Sequence, residues 1–127
     1  MTKSELINRT KQLALRVIKL LDSLPKNTTS EILGKQLLRS ATSVGANYRA
    51  ACRAKSTADF INKLAIVEEE ADESIYWIEL LVVSGQFKGN FTTNLLAEFD
   101  EIVSILVSAI KTSKQKRNPK SQISIPK

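Results

Sequence analysis

The sequence predicts an all-α fold: an antiparallel up-down-up-down four-helix bundle followed by a disordered basic C-terminal tail. Three observations carry that expectation. Apolar residues recur at three- and four-residue steps through four successive segments, the spacing of one helix face. Breakers are few, because the 127 residues include only four Gly and three Pro, so the segments run on as helices rather than many short strands. The gaps between segments are short, which makes consecutive helices antiparallel neighbours. With 43% hydrophobic and 25% charged residues, the composition is that of one ordinary globular domain. The bundle is placed at residues 1–115 and the tail at 116–127.

The first helix opens at Thr2, with Glu5 at capping-box spacing. It carries Leu6, Thr10, Leu13, Val17, Leu21 and Leu24 inward, and Pro25 ends it. A second capping box, Thr28 and Glu31, starts helix two, whose apolar side is Leu33, Leu37, Ala41, Val44, Tyr48 and Cys52. Ser56 and Asp59 repeat the signal before helix three, with Phe60, Leu64, Val67, Ala71, Ile75, Ile78 and Val82 as its core face. GQFKGN, residues 85–90, is a loop. Helix four then buries Leu95, Phe99, Ile102, Leu106 and Ala109 or Ile110. Beyond it, TSKQKRNPKSQISIPK loses periodicity and gains charge and proline.

Several function classes fall away on composition. There is no histidine, which removes His-based triads, His-ligated zinc and the Glu-x-x-His ligands of di-iron bundles. No nucleophile–base pair, glycine-rich phosphate loop or metal spacing is present, so no enzyme, no metal site and no cofactor is expected. Cys52 is the single cysteine, so no internal disulfide forms and a reducing cytoplasm is the expected location. The N-terminus lacks the apolar core of a signal peptide, and no apolar run reaches the ~20 residues of a membrane span. No membrane partner is expected.

Charge is unevenly spread. Residues 1–55 hold eleven Lys and Arg against three acids, residues 56–101 hold two against ten, and residues 102–127 hold six and no acid. At about 100° per residue, helix two aligns Lys35, Arg39, Ala46, Arg49 and Arg53 in one stripe opposite its apolar side. Ser40, Ser43, Asn47, Ala50 and Ala54 form a third, nearly volumeless face, against which a neighbouring helix or subunit can approach closely. Helix three supplies acids on both flanks. If it runs antiparallel to helix two about the turn near Ser56, residues whose numbers sum to about 113 lie level. Arg39 then reaches Glu70 or Glu73, as a buried pair, and Ser43 and Asn47 satisfy the remaining polar groups of that network. Trp77 is read as a packed side chain.

RSATSVGANYRAACRAKSTADFINKLAIVEEEADESIYWIELL, residues 39–81, resembles the central signature of the four-helix bundle proteins encoded within intervening sequences of bacterial 23S rRNA genes. The matching positions are Arg39, Ser40, Ser43, Asn47, Arg53, Ser56, Phe60, Lys63, Leu64, Glu70, Glu73, Trp77 and Leu80. Ala50 stands where the family usually carries Glu, so a network relying on that acid is not expected. The resemblance implies a compact bundle, often a ring-shaped homopentamer, without an established activity. A related branch is similar to the accessory protein of diversity-generating retroelements, understood to bind nucleic acid and a reverse transcriptase through a basic surface. Being encoded inside an rRNA gene does not make a protein part of the ribosome.

The function expected is therefore non-enzymatic. A homo-oligomer, with the pentamer favoured by the resemblance, binds structured RNA or DNA through backbone phosphates using Lys35, Arg49, Arg53, Lys116 and Arg117. Arginine suits phosphate because its planar fork donates two hydrogen bonds at once. No aromatic residues interleave with the stripe, so base stacking is not expected. The alternative is a homo-oligomeric protein-interaction scaffold, in which acidic helix three docks on the basic helices of the next subunit or of a partner protein.

Overall fold

Side chains just ahead of the helices set where they begin. Thr2 Oγ1 accepts from the Glu5 N–H at 3.1 Å and Ser56 Oγ from the Asp59 N–H at 3.1 Å, as the capping spacing predicts. The second start is displaced by one residue. Asn27, not Thr28, is the cap, its Oδ1 accepting from the Ser30 N–H at 2.9 Å. Asn27 is also fixed from outside the helix, because its Nδ2 donates to Gln86 Oε1 at 2.9 Å. That long-range partner tips the choice between two adjacent residues that both favour caps.

In the computed structural model, which describes residues 1–117, these starts open α1 (Lys3–Asp22), α2 (Thr28–Ala51), α3 (Thr57–Val83) and α4 (Asn90–Arg117). Gly85 at φ +82 and Gly89 at φ +126 bound the α3–α4 turn, where a side chain would be strained. Each helix packs on two others, α1 on α2, α2 on α3, α3 on α4 and α4 back on α1. This is a four-helix bundle. The long-range pairs Asn27–Gln86, Arg39–Glu73 and Ser40–Ser74 keep a nearly constant sum of residue numbers. They run α2 and α3 in opposite directions with the register expected from a short turn.

Leu13, Val17, Leu37, Val44, Leu64, Val67, Ile78, Leu81, Leu95, Phe99, Ile102 and Leu106 are sealed from solvent. Each such side chain contributes about 1.5–3 kcal/mol relative to staying exposed. Most of the expected core is found, with a rotation of α3. Ile61, Ser74 and Leu81 are buried where Phe60, Ile75 and Val82 were expected; Phe60 and Ile75 are partly buried and Val82 is exposed. In α1, Leu20 is buried and Leu21 only partly, as is Leu24 in the loop beyond it; Leu33 of α2 and Cys52 just after it are partly buried. Ala109 and Ile110 of α4 are likewise partly buried.

The reason lies in the slim side of α2. Ser40 and Ser74 are fully buried and their hydroxyls meet at 2.8 Å. Each is satisfied again by its own helix, Ser40 donating to Leu37 O and Ser74 to Glu70 O, so no polar atom is stranded. With no bulk between the axes, α3 turns Ser74 into the seam and Ile75 towards its edge. On its other side α2 meets α1 through glycines. A Cβ at Gly34 would come 3.1 Å from Leu21 Cδ2, and one at Gly45 3.4 Å from Thr10 Oγ1.

Two boundaries differ from expectation. The α-helix of α2 ends at Ala51, and Arg53 and Ala54 follow in a tighter turn, their N–H groups donating to Ala50 O and Ala51 O. At the other end, α4 continues through Arg117, so Lys116 and Arg117 belong to its last turn and not to a tail. The remainder of the expected tail, 118–127, lies outside the described residues.

Candidate nucleic-acid interface

The basic stripe of α2 divides once its side chains are placed. Arg39 is turned towards α3, where Nη1 lies 3.2 Å from Glu70 Oε1 and Nη2 bonds Glu73 Oε1. Trp77 Nε1 also donates to Glu73 Oε1 at 3.1 Å. The Arg39 guanidinium, opposed by desolvation and helped by Trp77, holds the Glu73 carboxyl below its ordinary value. The cluster is not buried: the Arg39 side chain keeps 48% of its exposure and Glu73 37%. Ser43 and Asn47 do not join it through their side chains. Ser43 Oγ donates to Arg39 O and Asn47 Nδ2 to Ser43 O, which satisfies helix carbonyls rather than the acids of α3.

Lys35, Arg49 and Arg53 are exposed, and among the described residues none has a carboxylate within ion-pair distance. They do not form one site. Lys35 lies beside the α1–α2 loop, on a groove shared with Leu24, Pro25 and Glu31. Arg49 lies fourteen residues further along the helix, roughly 21 Å at 1.5 Å per residue. There it borders a second α1–α2 groove with Lys11, over the small residues Ala14, Gly45 and Ala46.

Arg53 is next to the pole where α1 starts, α2 ends, α3 starts and α4 ends. A cleft there is lined by Lys3, Lys55 and Lys116 together, and Arg117 follows Lys116 in α4. Of the expected contact residues, Arg53, Lys116 and Arg117 thus share one end of the bundle, Arg49 approaches it along α2, and Lys35 is remote. Lys3 and Lys55 were missed, whereas Lys11 is one of the helix-one cations, with Arg9, Arg16 and Lys19, whose scatter round that helix makes them weaker candidates. Antiparallel helices bring alternate chain ends to one pole, and counting charges at those ends would have found Lys3 and Lys55.

Arg9, another helix-one cation, is not available to phosphate. Its Nε and Nη2 grip both oxygens of Glu98 at 2.9 and 2.7 Å, and Nη1 reaches Glu101 at 3.3 Å. The bond to Glu98 is the main reason its proton is held more tightly than usual. Among the described residues no group of three or more metal-ligating side chains converges, and no helix is long and apolar enough to cross a membrane.

The family model described as 23S rRNA-intervening sequence protein matches residues 2–108. The chain belongs to that family. A crystal structure from Bacteroides thetaiotaomicron VPI-5482, described as a protein of unknown function from the S23 ribosomal protein family, is 37% identical. The match covers 87% of this chain and 99% of that one, with a TM-score of 0.80. No curated protein matches. Within this intervening-sequence protein, the residues that carried the resemblance are structurally connected. Arg39, Glu70, Glu73 and Trp77 form one hydrogen-bonded cluster, and Ser40 lies beneath it against Ser74. Lys63 of the same signature bonds Asp59 at 2.6 Å, one turn into α3.

Proposed function

We propose that this intervening-sequence family protein is a non-enzymatic, homo-oligomeric binder of nucleic-acid backbones that works through the basic pole of its bundle. One observation carries the reading. Arg49, Arg53, Lys116 and Arg117 are exposed and lack carboxylate partners among the described residues, while the acids of this pole are Glu5 and the Lys63-bound Asp59 and most others sit further along α3 and in the middle of α4. Unpaired guanidinium and ammonium groups gathered at one end attract phosphates without reading bases. Lys35 contributes a separate contact or none at the pole.

Oligomerisation is supported by large apolar side chains left in water, among them Leu15, Ile18, Ile32, Ile66, Tyr76 and Val83. A ring, such as the pentamer implied by the family resemblance, would repeat the pole about an axis and sum weak contacts by avidity. Binding to duplex DNA or structured RNA measured against salt tests the reading. If about five phosphates are neutralised, log K falls with log salt at a slope near −4 to −5 on duplex DNA. Arg49→Glu with Arg53→Glu should flatten that slope. Affinity indifferent to both salt and the double variant would remove the proposal.

The exposed acids Glu69, Asp72 and Glu79 of α3 favour a second reading, the scaffold, in which they dock on the basic pole of another copy. Light scattering separates the two. Particles that salt dissociates and RNA leaves unchanged support the scaffold; particles that RNA enlarges support nucleic-acid binding.

A further inference from the structure

We propose that the cleft at the basic pole is a site for a terminal phosphate, a phosphate monoester or pyrophosphate, rather than for the diester backbone. This goes beyond the reading above, since the cleft can hold such a group whether or not long nucleic acid binds Arg49, Arg53 and Arg117 outside it at the same pole. The cleft has a volume of about 340 Å³, at the small end of ligand sites.

Its walls come from four separate places: Lys3 at the start of α1, Lys55 in the α2–α3 turn, Thr57 at the start of α3, and Ser113 and Lys116 near the end of α4. No Asp or Glu lines it. The nearest candidate in sequence, Asp59, is engaged instead with Lys63 Nζ at 2.6 Å and the Lys55 N–H at 3.2 Å. Lys3 Nζ is held 5.8 Å from the centroid of the Phe60 ring, which also lines the cleft. This contact keeps the ammonium at the wall without neutralising it.

The charge count selects the ligand. Three lysines, none paired with a carboxylate among the described residues, face a compact space instead of a track. The positive end of α3 adds to them, since Ser56 Oγ takes only the Asp59 N–H of its first turn. A diester phosphate carries one negative charge and offers two free oxygens. A terminal phosphate carries about −1.5 to −2 and offers three acceptor oxygens, enough to engage three ammonium groups and the Thr57 and Ser113 hydroxyls.

Cys52 supplies the readout, because it lines the same cleft and is the only cysteine of the chain. The full chain is treated with iodoacetamide in the presence of inorganic pyrophosphate. At three times its Kd, pyrophosphate should slow Cys52 alkylation about fourfold, as only the unliganded fraction reacts. Lys55→Glu with Lys116→Glu should abolish the protection while circular dichroism shows the helices intact; Lys55→Gln with Lys116→Gln replaces that pair if the first misfolds. Lys35→Glu, at the distant groove, should leave protection unchanged. Two RNAs of one sequence then separate the sources. Stronger protection by the 5′-phosphorylated than by the 5′-hydroxyl strand assigns the site to a nucleic-acid end, and equal effects beside protection by pyrophosphate assign it to free phosphate compounds. No protection by either pyrophosphate or phosphorylated RNA, or full protection in the double variant, overturns the site. The salt slope of 5′-hydroxyl duplex binding is read separately, so failure here leaves the backbone-binding reading standing or falling by itself.

Discussion

The α2–α3 and α1–α4 seams hold the same bundle together by opposite means. Between α2 and α3 the side chains are short, Ser40 meets Ser74 out of water, and contact is the most extensive of any helix pair. Between α1 and α4 backbone contact is the sparsest, and Arg9 spans the seam to grip Glu98 and Glu101. Small residues let two helices share a long surface whose strength is distributed over many weak dispersion contacts. A wider seam depends on one long side chain and its charge. The first should resist loss of any single polar group but not added bulk; the second should respond the other way.

The largest effect is expected from breaking the close seam with volume. Ser74→Leu must force the axes apart or strain rotamers, costing about 1–3 kcal/mol or more, read as a lower midpoint in urea unfolding. A value equal to that of Ser74→Ala would mean the seam has room to spare. Next comes Arg9→Ala, which strands the Glu98 carboxylate, only 23% exposed, at a cost of about 1–2 kcal/mol. Raising salt should weaken the wild-type seam little, because the bidentate pair is largely shielded from solvent. Arg9→Lys should recover only part of the loss, since a point charge cannot hold two carboxylate oxygens in one plane.

Ser40→Ala should be milder, about 0.5–1.5 kcal/mol, because Ser74 keeps its bond to Glu70 O. The smallest change is expected at Arg39→Ala. Its exposed ion pairs are screened by water, so its midpoint should differ little from that of the surface variant Lys19→Ala at neutral pH. Acid sharpens the distinction. Glu73 titrates below its ordinary value of 4.5 in the folded chain, chiefly because of Arg39, so its contribution is present above that value and is lost as pH falls through the folded pKa. Arg39→Ala should flatten this part of the acid-unfolding curve, and an unchanged curve would show the pairing is not formed in solution.

Local interactions were the legible ones. Thr2 and Ser56 could be read as caps because the hydroxyl and its target N–H lie within one turn, and Asn27 was missed by one position because Gln86 decides it from 59 residues away. The Arg39–Glu70–Glu73 contact was readable from turn length and helix rise. Its degree of burial was not, since that depends on how far the seam carries Arg39 into water. The pole was only half visible: charge in the last turn of α4 shows in the sequence, but Lys3 and Lys55 join Lys116 only when four chain segments are brought together.

Periodicity, caps and the scarcity of breakers determined by themselves that this chain makes four helices, where two of them begin, and which pair of charges spans α2 and α3. Those features depend on neighbours within a turn or across one short loop. The tertiary structure alone decided the rotation of α3 that buries Ser74, the capture of Arg9 by α4, and the gathering of lysines into one cleft. Each depends on the angle and distance between helix axes, which side-chain packing sets collectively and which no single stretch of sequence encodes.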